Sequence, residues 1–226
     1  MTIRSLLLVT AAALAACSSD APDGTTGAMQ QSSTHPDCAP NDTACQNDGL
    51  DAPLAAGARL PLDVRITARG VAAPKIRLES VRDDVLSVDM DHGALVGLAK
   101  GWSSVVFVRE DDGLVMDFIT MTVEKAERIE LYRLTKDGGA EAAPLPDSIQ
   151  LAPGDDFEIA VKPFVGATRL LGDLEASWSL DQADVATLLD TGRPASRRVR
   201  VKSAGKGTIT IDAGGFTKTL SVEVLP

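Results

Sequence analysis

Few residues in this chain have types and spacings that do chemistry. Asp89-Met90-Asp91-His92-Gly93 is the densest cluster. Clustered carboxylate oxygens suit a hard cation, and Asp-x-Asp-x-Gly can open a calcium loop. The twelfth position of that loop is Lys100, where the ion needs a bidentate Glu. The cluster therefore reads as a hairpin turn with an acidic tip. Asp83-Asp84, Asp111-Asp112 and Asp155-Asp156 read as solvated strand ends and turns. A Ser-His-Asp triad would have to recruit His92, since His35 reads as a linker residue, and no Gly-x-Ser-x-Gly elbow accompanies it. There is no Gly-x-Gly-x-x-Gly, Walker loop or His-Glu-x-x-His. No catalytic residue, metal ligand or cofactor is expected, and the chain does not read as an enzyme. Two features remain for binding. Trp102 could be a platform on which a sugar ring stacks. The basic run Arg193, Arg197, Arg198, Arg200 and Lys202 could meet an acidic glycan or a phosphate. The candidate ligand contacts are thus Trp102, Arg197 and Arg198. Each has a plainer reading: packing for the tryptophan, and a solvated strand face paired with acidic neighbours for the arginines.

The N-terminus carries a different chemistry. Arg4 precedes the mostly apolar stretch Leu6 to Ala16, which ends in small residues before Cys17. The stretch is too short to span a bilayer, which takes roughly 20 residues as a helix. Leu14-Ala15-Ala16-Cys17 resembles the lipobox of bacterial lipoproteins. That resemblance implies that residues 1–16 are a removed signal peptide and that Cys17 carries a diacylglyceryl thioether and an N-acyl chain. Two or more chains give stable anchoring, so the implied partner is a membrane. Ser18 in place of Asp implies the outer membrane by the enteric Gram-negative rule, with cell surface and periplasmic leaflet both open. With Cys17 so assigned, Cys38 and Cys45 remain, six residues between them. Export favours a disulfide between the two. Two cysteines alone make a poor metal site.

Residues 17–52 are rich in Ser, Thr, Asp, Gly, Pro, Asn and Gln. With little to bury, they are expected to be a disordered tether with a root-mean-square reach of roughly 30–35 Å. The chain has 22 basic and 32 acidic residues, a net charge of −10. That balance argues against nucleic acid and anionic headgroups as partners and leaves a protein or glycan.

Beyond residue 52 the pattern becomes period-two alternation, as in Leu60, Leu62, Val64 and Ile66. Turn signals recur at 91–93, 100–101 and 111–113. Short strands with frequent turns predict an all-β sandwich. The chain also repeats. Leu54-Ala55-Ala56-Gly57 matches Leu151-Ala152-Pro153-Gly154 at an offset of 97. Asp84 to Val88 matches Asp184 to Leu188 at 100, and Gly101, Val105 and Phe107 match Gly205, Ile209 and Ile211 at 104. Two copies of one module follow, 53–125 and a longer 126–226, joined by a short link near Glu124 to Glu127.

In the second copy, Ala176-Ser177-Trp178-Ser179-Leu180, Asp184-Val185-Ala186-Thr187 and Gly205-Lys206-Gly207-Thr208-Ile209 stand in order. These motifs resemble bacterial immunoglobulin-like domains of the invasin and intimin type. The resemblance covers about 170 residues and is weaker in the first copy, where Leu78 stands for the tryptophan. It implies an all-β fold of two tandem Ig-like β-sandwich domains, with Trp178 in the core. Neither copy has a cysteine, so apolar packing must hold the sheets together. Gly101 and Gly205 are expected to supply positive φ ahead of a strand. The function expected is a non-enzymatic, membrane-anchored lipoprotein that presents its domains for adhesion, protein interaction or spacing. The alternative is a cell-wall or glycan-binding module.

Overall fold

The computed structural model describes residues 25–37, 49–66, 73–134 and 143–226. The leader, Cys17, Cys38 and Cys45 lie outside these residues. The first half contains β1 (Thr25–Thr26), β2 (Ser32–Pro36), β3 (Leu54–Ala55), β4 (Ala58–Ile66), β5 (Ile76–Ser80), β6 (Leu86–Asp89), β7 (Ala94–Gly97), β8 (Gly101–Arg109) and β9 (Val115–Glu124). The second half contains β10 (Arg128–Leu134), β11 (Ser148–Leu151), β12 (Asp156–Val165), β13 (Thr168–Arg169), β14 (Asp173–Leu174), β15 (Ala176–Leu180), β16 (Ala186–Asp190), β17 (Ser196–Val201), β18 (Gly205–Ala213) and β19 (Phe216–Val224).

Each half is built from two sheets. In the first, β2-β4-β7-β6 packs on β3-β9-β8-β5; in the second, β10-β12-β17-β16 packs on β11-β19-β18-β15. The strand order is the same, down to the parallel pairing of β3 with β9 and of β11 with β19. Both halves are immunoglobulin-like sandwiches. Alternation decides which side chains enter the core. On β9, Ile119, Met121 and Val123 are buried while Phe118, Thr120 and Thr122 face out. Phe107, Leu86, Leu95 and Met121 fill the first core, and Ile159, Ile209, Ile211 and Leu220 the second. Burial of such side chains is the dominant favourable term in folding.

The first sandwich extends into the stretch expected to be a disordered tether. β2 pairs antiparallel with β4 as β10 does with β12, so Ser32 to Pro36 is the first strand of the module. Its inward side chains are Ser32 and Thr34, both buried. Small polar residues replace the apolar alternation that would have marked the strand. His35 belongs to the folded part as well, with Nε2 at 3.1 Å from the Ser33 hydroxyl.

A buried carboxylate holds this strand in place. Asp117 is fully buried at the edge of β9. Its Oδ1 accepts from Met29 N–H at 2.7 Å and Phe118 N–H at 2.8 Å. Its Oδ2 accepts from the N–H groups of Gln31 and Ser32 at 2.8 Å and from the Ser32 hydroxyl at 2.9 Å. Burial pushes the carboxyl pKa up, but the hydrogen bonds from Met29, Phe118, Ser32 and Gln31 outweigh it and hold the group below its ordinary value. Gly27 leaves room for the carboxylate, since a Cβ there would lie 2.2 Å from Oδ2. Gln30 adopts φ 59° in the same loop, a strained conformation that the surrounding hydrogen bonds sustain.

Two further expectations are revised. Gly101 is not among the residues with positive φ. Space is the common requirement at both strand-opening glycines. A Cβ on Gly101 would meet Val85 at 3.0 Å, and one on Gly205 would meet Val185 at 2.8 Å. Trp178 is only half-buried, because β15 is a sheet edge, and its indole N–H donates to the Pro194 carbonyl at 3.1 Å.

Asp117→Ala should lower the unfolding free energy in urea by about 3 kcal/mol, since the buried donors of Ser32 and the partly buried N–H groups of Met29, Gln31 and Phe118 lose a charged acceptor. The folded pKa of Asp117 lies below its unfolded value of about 4, so its stabilisation is complete above that pH and is lost as pH falls through the folded pKa. Asp117→Asn should therefore flatten the acid limb of a stability–pH curve. The Thr34 hydroxyl is buried with no hydrogen-bond partner among the described residues. Thr34→Val should accordingly raise stability by about 1 kcal/mol in the same titration.

Candidate functional site

Trp102 and the two arginines lie in different sandwiches, so no single site holds all three candidates. Trp102 is on β8 with its side chain on the outer sheet face, 58% exposed and cross-strand from Thr122. Arg197 and Arg198 are on β17. Arg198 grips Asp156 on neighbouring β12 through two bonds, Nε–Oδ1 at 2.5 Å and Nη2–Oδ2 at 2.8 Å. Their contact holds the Asp156 carboxyl below its usual range and raises Arg198. Arg197 Nη1 donates to the carbonyls of Ser196 at 2.6 Å and Arg193 at 3.0 Å. Its guanidinium lies 5.9 Å from the Trp178 ring centre. Both guanidinium groups are thus engaged within the second sandwich. The lipidation residue Cys17 and the pair Cys38 and Cys45 lie outside the described residues.

The Asp89 to Gly93 stretch is the β6–β7 hairpin turn, with Gly93 at φ 58°. Asp89 is taken by an ion pair with Arg59 and by His92, whose Nδ1 lies 3.0 Å away. Ser33 and His35 form a pair on β2, but Asp63, cross-strand from His35, accepts from Arg65 Nε at 3.1 Å. Among the described residues, no group of three or more His, Cys, Asp or Glu side chains could hold a metal ion. Among them too, no helix is long and apolar enough to cross a membrane.

The most developed constellation lies where the sandwiches meet. β14, a short strand of the second half, adds to β4 of the first through the pairs Asp173–Arg59 and Leu174–Ala58. Arg59 pairs with Val96 of β7 on the opposite edge, so β14 shares an edge of β4 with β2. Beside it, Leu171 N–H donates to Pro53 O at 2.8 Å, and Ala55 N–H donates to Leu171 O at 3.0 Å. Leu54, Ala58, Leu170, Leu171 and Leu174 belong to one continuous buried cluster that spans both halves. Arg193 reaches back over the seam. Its Nη1 bonds Asp173 at 2.9 Å and its Nη2 donates to the Asp37 carbonyl at 2.8 Å. Gly172 makes the approach feasible, with φ 89° and no room for a Cβ, which would lie 2.8 Å from Leu54 and 3.0 Å from Arg59 O. A cavity of about 410 Å³ opens at the joint, between Leu98 and Lys100 of one half and Leu174 and Gly214 of the other. Lys100 is bonded to Glu124 at 2.8 Å, which raises its pKa.

The short link at Glu124 to Glu127, legible in the sequence, is only part of the join. The available signal was Leu170-Leu171-Gly172-Asp173-Leu174, an apolar run that fits neither strand nor helix period. Asp117 carried no signal, because its partners are backbone groups far away in sequence.

No family model matches the chain, and no curated protein is similar to it. Solved structures of similar fold include domains 4 and 5 of the S-layer protein SbsC, at 17% identity over 77% of this chain and 92% of that one, with a TM-score of 0.33. The adhesin InvE of Yersinia pseudotuberculosis is 14% identical over 77% of this chain and 57% of its own, with a TM-score of 0.31. InvD of the same organism is 14% identical over 77% and 56%, with a TM-score of 0.30. These are likenesses of fold, and the fold stands on the strand pairing itself.

A shared core and a shared sheet edge should make the two sandwiches unfold together, in one calorimetric transition. Gly172→Ala is expected to split that transition in two and to cost about 2 kcal/mol of stability, through strain at positive φ and collision with the Arg59 carbonyl. Arg193→Ala should broaden the transition without dividing it, since it leaves the strand pairing intact.

Proposed function

We propose that this chain is a non-enzymatic, membrane-anchored lipoprotein whose two sandwiches act as a stiff presenting unit held close to a bilayer. The observation that carries this reading is the joint. Two tandem domains on a flexible link would sample many orientations. Here β14 on β4, one continuous core and the Arg193 clamp work against such motion. The anchor is the Cys17 thioether that the leader implies, and the outer membrane is the compartment that Ser18 implies.

The distance to the anchor matters for what the unit can do. Seven residues separate Cys17 from β1. At about 3.3–3.6 Å per residue, the eight steps from Cys17 to Thr25 span about 29 Å at most. The sandwiches would therefore sit near the membrane and not at the end of a long tether. A second reading, a cell-wall or glycan-binding module, is favoured by one observation, the exposure of Trp102.

Fractionation of the producing cells checks the anchor. Wild type should pellet with the outer membrane and enter the detergent phase of a Triton X-114 partition. Cys17→Ser should move to the aqueous phase while keeping the thermal transition of the folded protein. Retention of the mutant in the membrane would overturn the reading. Labelling intact cells with a membrane-impermeant amine reagent then separates surface display from the periplasmic leaflet.

A further inference from the structure

The internal repeat supplies a control for every surface of the first sandwich. On the outer face of β8 and β9, Trp102 stands opposite Thr122, Ser104 opposite Thr120 and Val106 opposite Phe118. The corresponding rungs of β18 and β19 are Lys206 with Glu223, Thr208 with Ser221 and Thr210 with Thr219. Where the second sandwich has an ion pair, Lys206 to Glu223 at 2.9 Å, the first has a tryptophan over a threonine. Where it has two threonines, the first has Val106 and Phe118. These rungs are therefore polar and ion-paired in one copy, and aromatic and uncharged in the other, where the neighbouring charges beside Val106 are Arg77 and Glu79 of β5, bonded to each other at 2.6 Å. Core packing does not explain the difference, because these side chains point away from the core.

We infer that the outer face of β8 and β9 in the first sandwich is a binding platform for a neutral oligosaccharide. Trp102 and Phe118 lie on adjacent strands about four residues apart along the sheet, a span of about 13 Å. Between them runs a rung of hydroxyls, with Ser104 Oγ and Thr120 Oγ1 3.0 Å apart. Two aromatic surfaces flanking hydroxyls suit a sugar chain, whose C–H faces pack on rings and whose hydroxyls exchange hydrogen bonds.

The area and the charge choose this occupant over others. Trp102 is 58% and Phe118 37% exposed. An aromatic side chain covers ~150–250 Å² in full, so the two present roughly 200 Å². The two rings alone cover about a quarter of the roughly 800 Å² per partner that a stable protein interface buries, so a short sugar chain fills them, whereas a protein partner would also need the exposed Leu114 and Val115 of the adjoining hairpin. The six rung residues carry no charge, in a chain with a net charge of −10. An acidic polymer meets no cation on these rungs, Arg77 on neighbouring β5 is bonded to Glu79, and the net charge repels such a polymer, whereas a neutral one is tolerated. The inference deepens the second reading above, the glycan-binding module, and is independent of the lipid anchor.

Tryptophan fluorescence tests it on the full chain in a sugar-free detergent. The chain has two tryptophans, so Trp178→Phe leaves Trp102 as the single reporter. Cellohexaose and chitohexaose, titrated to millimolar concentration, serve as neutral probes, and hexagalacturonate as the acidic control. At least one neutral hexamer is expected to shield Trp102 from acrylamide quenching, with no effect of the acidic one. In the chain with both tryptophans, isothermal titration calorimetry should show Phe118→Thr weakening binding several-fold and Trp102→Lys about tenfold or more. Both replacements are the residues that the second sandwich carries at the same positions, so loss of binding is separable from loss of fold by an unchanged thermal transition. No shielding by either neutral hexamer overturns the proposal. Shielding that grows with protein concentration in the absence of sugar also overturns it and makes the face a self-association surface. Failure here leaves the Cys17 partition result untouched, and failure there leaves this one untouched.

Discussion

One edge of β4 organises the described molecule. A sheet edge presents unpaired N–H and C=O groups that must find partners. β2 takes Leu62 to Ile66 of this edge and β14 takes Ala58 and Arg59. Pro61, which has no N–H to offer, lies in the gap between them, and its carbonyl accepts from Asp37 N–H at 2.8 Å. Arg193 closes the seam by bonding Asp37 on one side and Asp173 on the other. The same edge thus completes the first sandwich and fastens the second one to it.

The two copies satisfy the same topology by different means. In the second sandwich, β10 follows the link directly and brings the buried side chains Ile129, Leu131 and Leu134. In the first, β2 brings only Ser32 and Thr34 to the interior, and so contributes little hydrophobic free energy. The Asp117 latch makes up that deficit with charge-assisted hydrogen bonds, which are stronger than neutral ones. The equivalent position in the second sandwich is a lysine, Lys218, which cannot accept such bonds. The divergence of the first copy is therefore spread over its surface and its edge. Its core glycine contacts, Gly101 on Val85 and Gly205 on Val185, are kept in both.

The arginine run shows why charge in a sequence is a poor guide to a site. Arg193, Arg197 and Arg198 fall within six residues in a basic stretch of an acidic chain. Folding gives each a different carboxylate or carbonyl partner, so that one braces a strand pair, one packs on Trp178 and one clamps the joint. Trp102 took the opposite course. A large apolar side chain is expected inside, yet alternation along β8 places it outside because Ser103 and Val105 face the core.

The sequence by itself determined the fold class, the repeat and most of the core, because alternation and turn residues are local signals of period two. It also marked Cys17 and Trp102 as residues worth weighing. Only the tertiary structure decided where the first sandwich begins, what joins the two, and which side chains remain exposed. Each of these depends on pairs distant in the chain: Asp117 with residues 29–32, Asp173 with Arg59, and Arg193 with Asp37. Such contacts leave no periodicity to read, since a backbone N–H or carbonyl can be supplied by any residue. Their partners are chosen by the proximity that folding creates.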